Sequence, residues 1–217
     1  EALSTVADRQ ADRALYPAAE HLLRAALRLH GASGEAAMRG RLTCELGRVL
    51  DAAGRLEEAL ELHGQAVAML QRGVDAGTVD PDDVVLACAH NRLGHVLNCA
   101  DDAPAAVEEH RRALAVLRRA GRDDLRPAVL TDLGYTFWGA GRLGAAKEAL
   151  CAGRELLEHQ GRRGERDWAH ATAGLGMVEQ DAGHLDRAVA LGADLRFEEP
   201  VLSWEASGEG VRVVTPR

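Results

Sequence analysis

The sequence of 217 residues has no isoleucine, one lysine and seven aromatic residues. Sheets are packed mainly by β-branched and aromatic side chains, so this shortage excludes a mainly β architecture. No apolar run approaches the roughly 18 residues that a membrane-spanning helix needs. Alanine and leucine, which favour helices, make up about a third of the chain. The composition therefore predicts an all-α protein without a membrane span.

The chain also lacks the charge and the cysteine spacing that several kinds of binding site require. It has 26 Lys and Arg against 34 Asp and Glu, and the net charge of −8 disfavours a nucleic-acid backbone as the main partner. No C-x-x-C pair is present, so neither a zinc site nor a disulfide framework is indicated. We expect buried, reduced thiols in a cytosolic protein at all four cysteines, which are Cys44, Cys88, Cys99 and Cys151.

A repeated segment appears when the chain is compared with itself. Each copy has a Leu-Gly pair, a second glycine seven residues later and an alanine five residues after that, although Asp101 replaces the second glycine in one copy. A weaker N-terminal copy aligns at a shift of 41 residues, which pairs Ala18 with Ala59 and Ala25 with Ala66. The other copies are separated by 47, 40 and 42 residues, with first glycines Gly47, Gly94, Gly134 and Gly176.

Apolar residues recur at helical spacing on both sides of the second glycine, so each unit is predicted to be a helix, a tight turn and a second helix. Glycine at the turn readily adopts the left-handed backbone conformation in which many helices end. The first glycine lies inside a helix, where it costs about 1 kcal/mol relative to alanine. We expect close approach of the second helix to offset this cost. The small residues expected opposite the glycines are Ala59, Ala106, Ala146 and Ala188.

This pattern resembles the tetratricopeptide repeat family, whose unit is a helix pair with Leu-Gly in the first helix, glycine at the turn and two alanines in the second helix. The spacing exceeds the family's usual period of about 34 residues and is similar to the longer kinesin-light-chain-type units, which also occur in bacterial regulatory proteins. Leu22, His63, His110 and Leu150 stand where the family has an aromatic residue. The resemblance implies a right-handed α-solenoid of antiparallel helix pairs over residues 1–195, with about five units of which the last is incomplete.

The resemblance further implies that the first helices line a concave groove that binds a peptide or protein segment. Residues six and three before each first-helix glycine, and one and four after it, share one helix face. Tyr135 and Trp138 are an amphipathic anchor or else part of the core, and Arg48 and Asp51 hold a ligand or else pair with each other. The predicted face contains Cys44, Cys88, Ala128 and Ala173 together with the candidate binding residues Arg41, Arg48, Asp51, Asn91, His95, Asn98, Thr131, Tyr135, Trp138, His170, Met177 and Gln180.

Sequence motifs for catalysis or cofactor binding are missing. The chain has no phosphate-binding G-x-x-x-x-G-K-[ST] loop, no G-x-S-x-G elbow and no dinucleotide-binding glycine motif after a strand. Its nine histidines form no H-E-x-x-H pair, and His90 and His95 are spaced so that they diverge on a helix. His63 and His110 are predicted to pack between helices. We therefore expect no enzyme activity, no cofactor and no metal site.

The repeat pattern ends near residue 195. Strand-prone residues then flank a Ser-Gly-Glu-Gly segment, which predicts a short β-hairpin or an extended tail over residues 196–217. An isolated hairpin is marginally stable in water. The tail is therefore expected to pack on the last helices, to open a further domain, or to mediate self-association by pairing with another chain.

Together these features predict a cytoplasmic, non-enzymatic module that binds a protein or peptide in the groove and does not contact nucleic acid or a membrane directly. The alternative is a regulatory or sensor segment of a larger bacterial transcription regulator or signalling ATPase. Such a segment would hold its own effector domain or a small ligand in the groove. No signal peptide is recognisable after Glu1, and we expect the chain to be a fragment of a longer protein.

Overall fold

The structure is a computed structural model, and it describes residues 16–30, 35–191, 203–207 and 210–214. The all-helical architecture predicted for the repeats is confirmed. Near the C-terminus, strands β1 (Ser203–Ser207) and β2 (Gly210–Val214) pair antiparallel, and the rest of the predicted tail lies outside the described residues. The helices are α1 (Tyr16–His30), α2 (Ala36–Ala52), α3 (Leu56–Asp75), α4 (Val84–Cys99), α5 (Ala103–Arg119), α6 (Arg126–Gly139), α7 (Leu143–His159), α8 (Arg166–Asp181) and α9 (Leu185–Ala190).

The chain divides into two compact units, Glu1–Val129 and Leu130–Arg217. In the first unit α2 packs against α3 and α4 against α5, and the first helices α2 and α4 also contact each other. In the second unit α8 packs against both α7 and α9. Among the described helices, none combines the length and the apolar character that a membrane span requires.

The first helix of each pair ends in the same kind of turn. A residue with left-handed backbone geometry follows the helix, and the next N–H donates to the carbonyl five residues back at 2.8 to 2.9 Å. Asp101 adopts this geometry at φ 61°, which aspartate tolerates better than most residues with a side chain. The predicted turn is therefore confirmed in four copies, at Gly54, Asp101, Gly141 and Gly183.

The first-helix glycines allow a side chain of the second helix to pack directly on the backbone. A Cβ atom at Gly94 would lie 2.8 Å from the His110 ring, and one at Gly134 would lie 2.5 Å from Leu150 Cγ. The predicted close approach is confirmed, as is the packing role of His110. The alanine was predicted to lie opposite the glycine, and this prediction is wrong. The side chain that covers the glycine belongs to the residue four positions after that alanine. Those alanines are fully buried, namely Ala59, Ala106, Ala146 and Ala188.

The N-terminal copy aligns with the others at a shift of 40 residues and not 41. Ala19 and Leu23 are fully buried, whereas Ala18 is exposed. Leu23 therefore occupies the repeat position that His63 occupies in the next copy. The prediction that Leu22 occupies this position is wrong. A one-residue slip turns a helix by about 100°, so only the packing of α1 on α2 distinguishes the two alignments.

His63 packs on Gly47 as His110 packs on Gly94 in the next repeat. A Cβ atom at Gly47 would lie 2.8 Å from its ring, and Cys44 Sγ lies 3.7 Å from its Nδ1 atom. Its Nε2 atom is buried and has no hydrogen-bond partner among the described residues. Burial, and secondarily the positive charges of Arg92 and His95, lower the pKa of His63 from 6.5 to about 4. The predicted packing role of His63 is confirmed, and its ring is neutral at pH 7.

Adding a methyl group at the two kinds of helical glycine should have opposite effects on stability. Gly94→Ala is expected to lower the free energy of unfolding by about 1 to 3 kcal/mol, because the methyl group meets the His110 ring. Gly64 lies within α3 and would place its Cβ in open space, so Gly64→Ala should raise the free energy of unfolding by up to about 1 kcal/mol. Urea unfolding followed by circular dichroism measures both. A stabilising effect of Gly94→Ala would contradict the close approach.

The buried neutral His63 should make stability depend on pH. Its folded pKa lies below its unfolded pKa, so its contribution is fully present above about pH 6.5 and is lost as the pH falls towards about 4. The free energy of unfolding should fall by up to about 3 kcal/mol over that range. His63→Leu, which introduces the residue found at Leu150, should flatten the profile, whereas the exposed His159→Gln should not. Parallel profiles for all three proteins would contradict this account.

Candidate functional site

A cleft of about 340 Å³ lies between the first helices α2 and α4 of the unit Glu1–Val129. The first turn of α4 forms one wall of the cleft. Asp83 caps this turn and accepts a hydrogen bond from the N–H of Val85 at 2.8 Å. The cleft therefore combines apolar, thiol and charged side chains, and three of them belong to the face predicted from the repeats. The lining residues are Arg41, Cys44, Glu45, Val84, Val85 and Cys88.

One arginine that lines the cleft, Arg41, has no ion-pair partner among the described residues. Arg41 is exposed and forms no ion pair or hydrogen bond with a described residue, and the same holds for Arg92. Arg48, in contrast, donates to Glu45 at 2.8 Å. Burial and the Glu45 charge raise the pKa of Cys44 to about 12, while Arg92 opposes them and so lies close by. Arg92 was missed because it is two residues before a repeat glycine, outside the predicted face.

Further along the same two helices, the structure brings Asp51 and His95 together. His95 Nε2 lies 3.5 Å from Asp51 Oδ2 and 3.9 Å from Cys99 Sγ. Asn98, also predicted on this face, is half-buried. Two predicted residues from neighbouring repeats therefore form a polar contact between α2 and α4, which links the first helices to each other.

In three of the repeats the residue three before the first-helix glycine turns inward, whereas Ala173, at this position in the last repeat, is exposed. Asn91 Oδ1 lies 2.9 Å from His110 Nδ1, just as Cys44 Sγ approaches His63 Nδ1. Thr131, at the same repeat position, is only 3% exposed. Its side chain is therefore not on the exposed face where the sequence pattern placed it, because the helix is rotated so that this position packs inward.

In the unit Leu130–Arg217, predicted groove residues of α6 and α8 form an aromatic cluster. The Tyr135 ring stacks on His170 at 4.7 Å between centroids, and its hydroxyl donates to the His170 carbonyl at 3.1 Å. The Trp138 ring lies edge-on to Tyr135 at 6.3 Å, and Trp138 Nε1 donates to Asp181 Oδ2 at 2.7 Å. Both rings are half-buried, whereas Phe137 is only 6% exposed. The two half-buried residues therefore lie at the surface of α6 and not in its core.

A buried acid connects α8 to its neighbours in this unit. Glu179 is 4% exposed, forms an ion pair with Lys147, and lies 2.8 Å from His184 Nδ1. The hydrogen bond from Lys147 is the main cause of the lowered pKa of Glu179. The predicted groove residues Met177 and Gln180 flank it in sequence and are half-buried. Apart from the single lysine, no feature of the amino-acid sequence indicated this contact.

A second cleft, of about 330 Å³, lies mainly between the second helices α3 and α5. At its wall His90 Nδ1 lies 2.6 Å from Glu109 Oε2, and Arg112 Nη1 donates to Glu109 Oε1 at 2.7 Å. This buried polar cluster was not predicted, although the expected divergence of His90 and His95 is confirmed. The cleft lining contains an imidazole, His90, and no hydroxyl, thiol or carboxylate side chain.

All four cysteines are free thiols, but only one is buried. Cys44 is buried and Cys151 is half-buried, whereas Cys88 and Cys99 are exposed. The expectation that all four are buried is therefore wrong for the two residues of α4. These two lie on the sides of the helix that do not face α5, and no sequence pattern distinguished them from core cysteines.

Comparison with known proteins identifies the repeats and their fold. Residues 85–159 match the family model described as Tetratricopeptide repeat. One similar structure is that of a Podosopora anserina kinesin light chain, whose TPR-like repeats are nearly identical to one another. It superposes on this chain with a TM-score of 0.69 at 20% identity, covering 88% of this chain and 90% of that chain. BtubC (BKLC) from P. vanneervenii gives 0.72 at 18% identity, covering 94% and 86%.

A third similar structure is a Rap protein complexed with Competence and Sporulation Factor. It superposes with a TM-score of 0.74 at 11% identity over 87% of this chain, which spans 50% of that chain. No curated protein matches in sequence. The resemblance predicted from the Leu-Gly and turn-glycine pattern is confirmed. Residues 85–159 are similar to the tetratricopeptide repeat family, and the chain has the fold of kinesin-light-chain-like repeat proteins.

Proposed function

We propose that this chain is a non-enzymatic interaction module that binds a peptide or protein segment along the first helices of its repeats. The cleft between α2 and α4 is the observation that carries this proposal. It offers an apolar wall at Val84 and Val85 together with Arg41, which forms no ion pair with the described chain. Binding sites for segments commonly combine such an apolar contact with a few convergent polar groups.

An extended segment that crosses α2 and α4 could place an apolar side chain against the valines and a carboxylate near Arg41. Main-chain amides of the segment would then be within the reach of polar side chains on the same face, such as Asn98. Half-buried aromatic residues support the same use of α6, because Tyr135 and Trp138 are the types that contribute most to protein interfaces.

The comparisons support binding of a partner and favour a scaffold over an enzyme. Kinesin-light-chain-like repeats share the fold, and the Rap protein of similar structure was solved in complex with Competence and Sporulation Factor. Self-association through residues 196–217 and the absence of direct contact with nucleic acid remain predictions.

The alternative function is regulation within a larger protein, such as a bacterial transcription regulator or a signalling ATPase. The observation that favours it is that this chain spans 50% of the Rap protein. In that case the first helices would hold an effector domain of the same protein or a small ligand. The sequence of the full-length gene distinguishes a separate partner from a covalently attached one.

Blocking the cleft should abolish segment binding without unfolding the protein. Peptides selected by the purified protein from a phage-displayed random library would be measured by fluorescence polarisation. Cys88→Trp fills the cleft from an exposed position, and we expect it to weaken binding at least about tenfold, which corresponds to about 1.4 kcal/mol.

Ala68→Trp is the matched control, because Ala68 is exposed on the second helix α3 and does not line the cleft. It should leave the affinity unchanged, and thermal unfolding of both variants checks their folding. A library that yields no binding peptide would overturn the proposal, as would binders that tolerate Cys88→Trp but are lost with Ala68→Trp.

A further inference from the structure

Arginine side chains of this chain lie against two aromatic rings in the unit Leu130–Arg217. The guanidinium carbon of Arg142 lies 4.7 Å from the Phe137 ring centroid, and that of Arg163 lies 5.6 Å from the Trp168 centroid. Trp168 also donates its indole N–H to Glu158 at 3.0 Å. A cation is attracted both to the negative face of an aromatic ring and to a carboxylate. Trp168 therefore combines three parts, which are its indole, a carboxylate on its N–H and a guanidinium group over its ring.

Trp138 has the first two of these three parts. Its indole N–H donates to Asp181 at 2.7 Å. No guanidinium or ammonium group lies over its ring in the part of the chain that the structure describes. Asp181 is exposed and forms no ion pair with a described residue, whereas Glu158 lies 4.0 Å from Arg154. Trp138 and Asp181 thus have the pairing found at Trp168 without its cation.

The surroundings hold this pair in place. The Trp138 ring packs edge-on with Tyr135. Tyr135 is itself fixed by stacking on His170 and by its hydrogen bond to the His170 carbonyl. Burial and the negative charge of Asp132 raise the pKa of Tyr135, so its hydroxyl stays neutral and remains a donor. The aromatic surface is therefore bordered by the carboxylates of Asp181 and Asp132.

We propose that Trp138 and Asp181 bind an arginine side chain of the segment that the module recognises. This inference rests on the proposed function and specifies the chemistry of its partner. The guanidinium group would lie beside the Trp138 ring and donate to Asp181, as Arg163 lies beside Trp168. Arginine fits better than lysine, because its planar group can stack on the indole and still donate several hydrogen bonds.

A small probe tests the site without knowledge of the natural partner. N-acetylarginine amide is titrated into the ¹⁵N-labelled protein, and the indole N–H resonance of Trp138, assigned with Trp138→Phe, is followed by NMR. N-acetylcitrulline amide has nearly the same shape and no charge. We expect a saturable shift with the arginine probe and at least about tenfold weaker binding of the citrulline probe. Equal binding of the two probes would overturn the inference.

Two carboxylate variants provide a matched comparison. Asp181→Asn keeps an oxygen that can accept the indole N–H and removes the charge, so it should weaken the arginine probe at least about fivefold. Glu158→Gln makes the same change beside Trp168, where Arg163 already supplies the cation, and should leave probe binding at Trp138 unchanged. Unchanged affinity in Asp181→Asn would overturn the inference, even if the protein binds peptides.

Peptides selected for the proposed function separate the two hypotheses. Replacing arginine by citrulline in those peptides should reduce affinity for the parent protein more than for Asp181→Asn. Peptides that depend on the α2–α4 cleft but respond to neither change would contradict the arginine site and leave the interaction module supported. Saturable binding of the arginine probe at Trp138 by a protein that selects no peptide would support the arginine site and contradict the module.

Discussion

The packing of one second-helix side chain on a first-helix glycine is the contact on which the repeat structure depends. His110 on Gly94 and Leu150 on Gly134 bring the two helices so close that a methyl group at either glycine would overlap the opposing side chain. The same contact sets the rotation of the first helix in three of the repeats, where the residue three before the glycine also turns inward. Asn91 beside His110 shows this rotation, and it leaves a narrower exposed face than helical spacing alone implies.

The exposed part of the first helices carries charged groups that no opposite charge of the described chain pairs with. Many charged residues of the described chain pair with each other, as Arg119 does with Asp82 and Glu179 with Lys147. Arg41 and Asp181 are exposed on first helices and form no ion pair with described residues. A charge that is not matched by an opposite charge of the fold is available to a ligand, which is why the proposed binding function is assigned to these helices.

The candidate site could be predicted only in part from the repeat pattern. Tyr135 and Trp138 were placed on one face correctly, because residues three apart on a helix remain neighbours whatever the helix packs against. Asp181 was missed, since its relation to Trp138 depends on how α8 lies beside α6. Arg92 was missed for the same kind of reason, and Thr131 was placed outside although it is buried. Each error concerns how a helix is rotated about its axis or placed beside its neighbour.

The sequence by itself determined the helix pairs, their phase and their turns, because these depend on local backbone requirements. Asp101 illustrates this, since the repeat pattern aligned it with the turn glycines and it adopts the same left-handed backbone conformation. Only the tertiary structure decided that Leu23 and not Leu22 packs in the N-terminal repeat, and that Cys88 is exposed. Those outcomes depend on which side of a helix its neighbours cover, and helical periodicity gives the spacing of a face but not its direction.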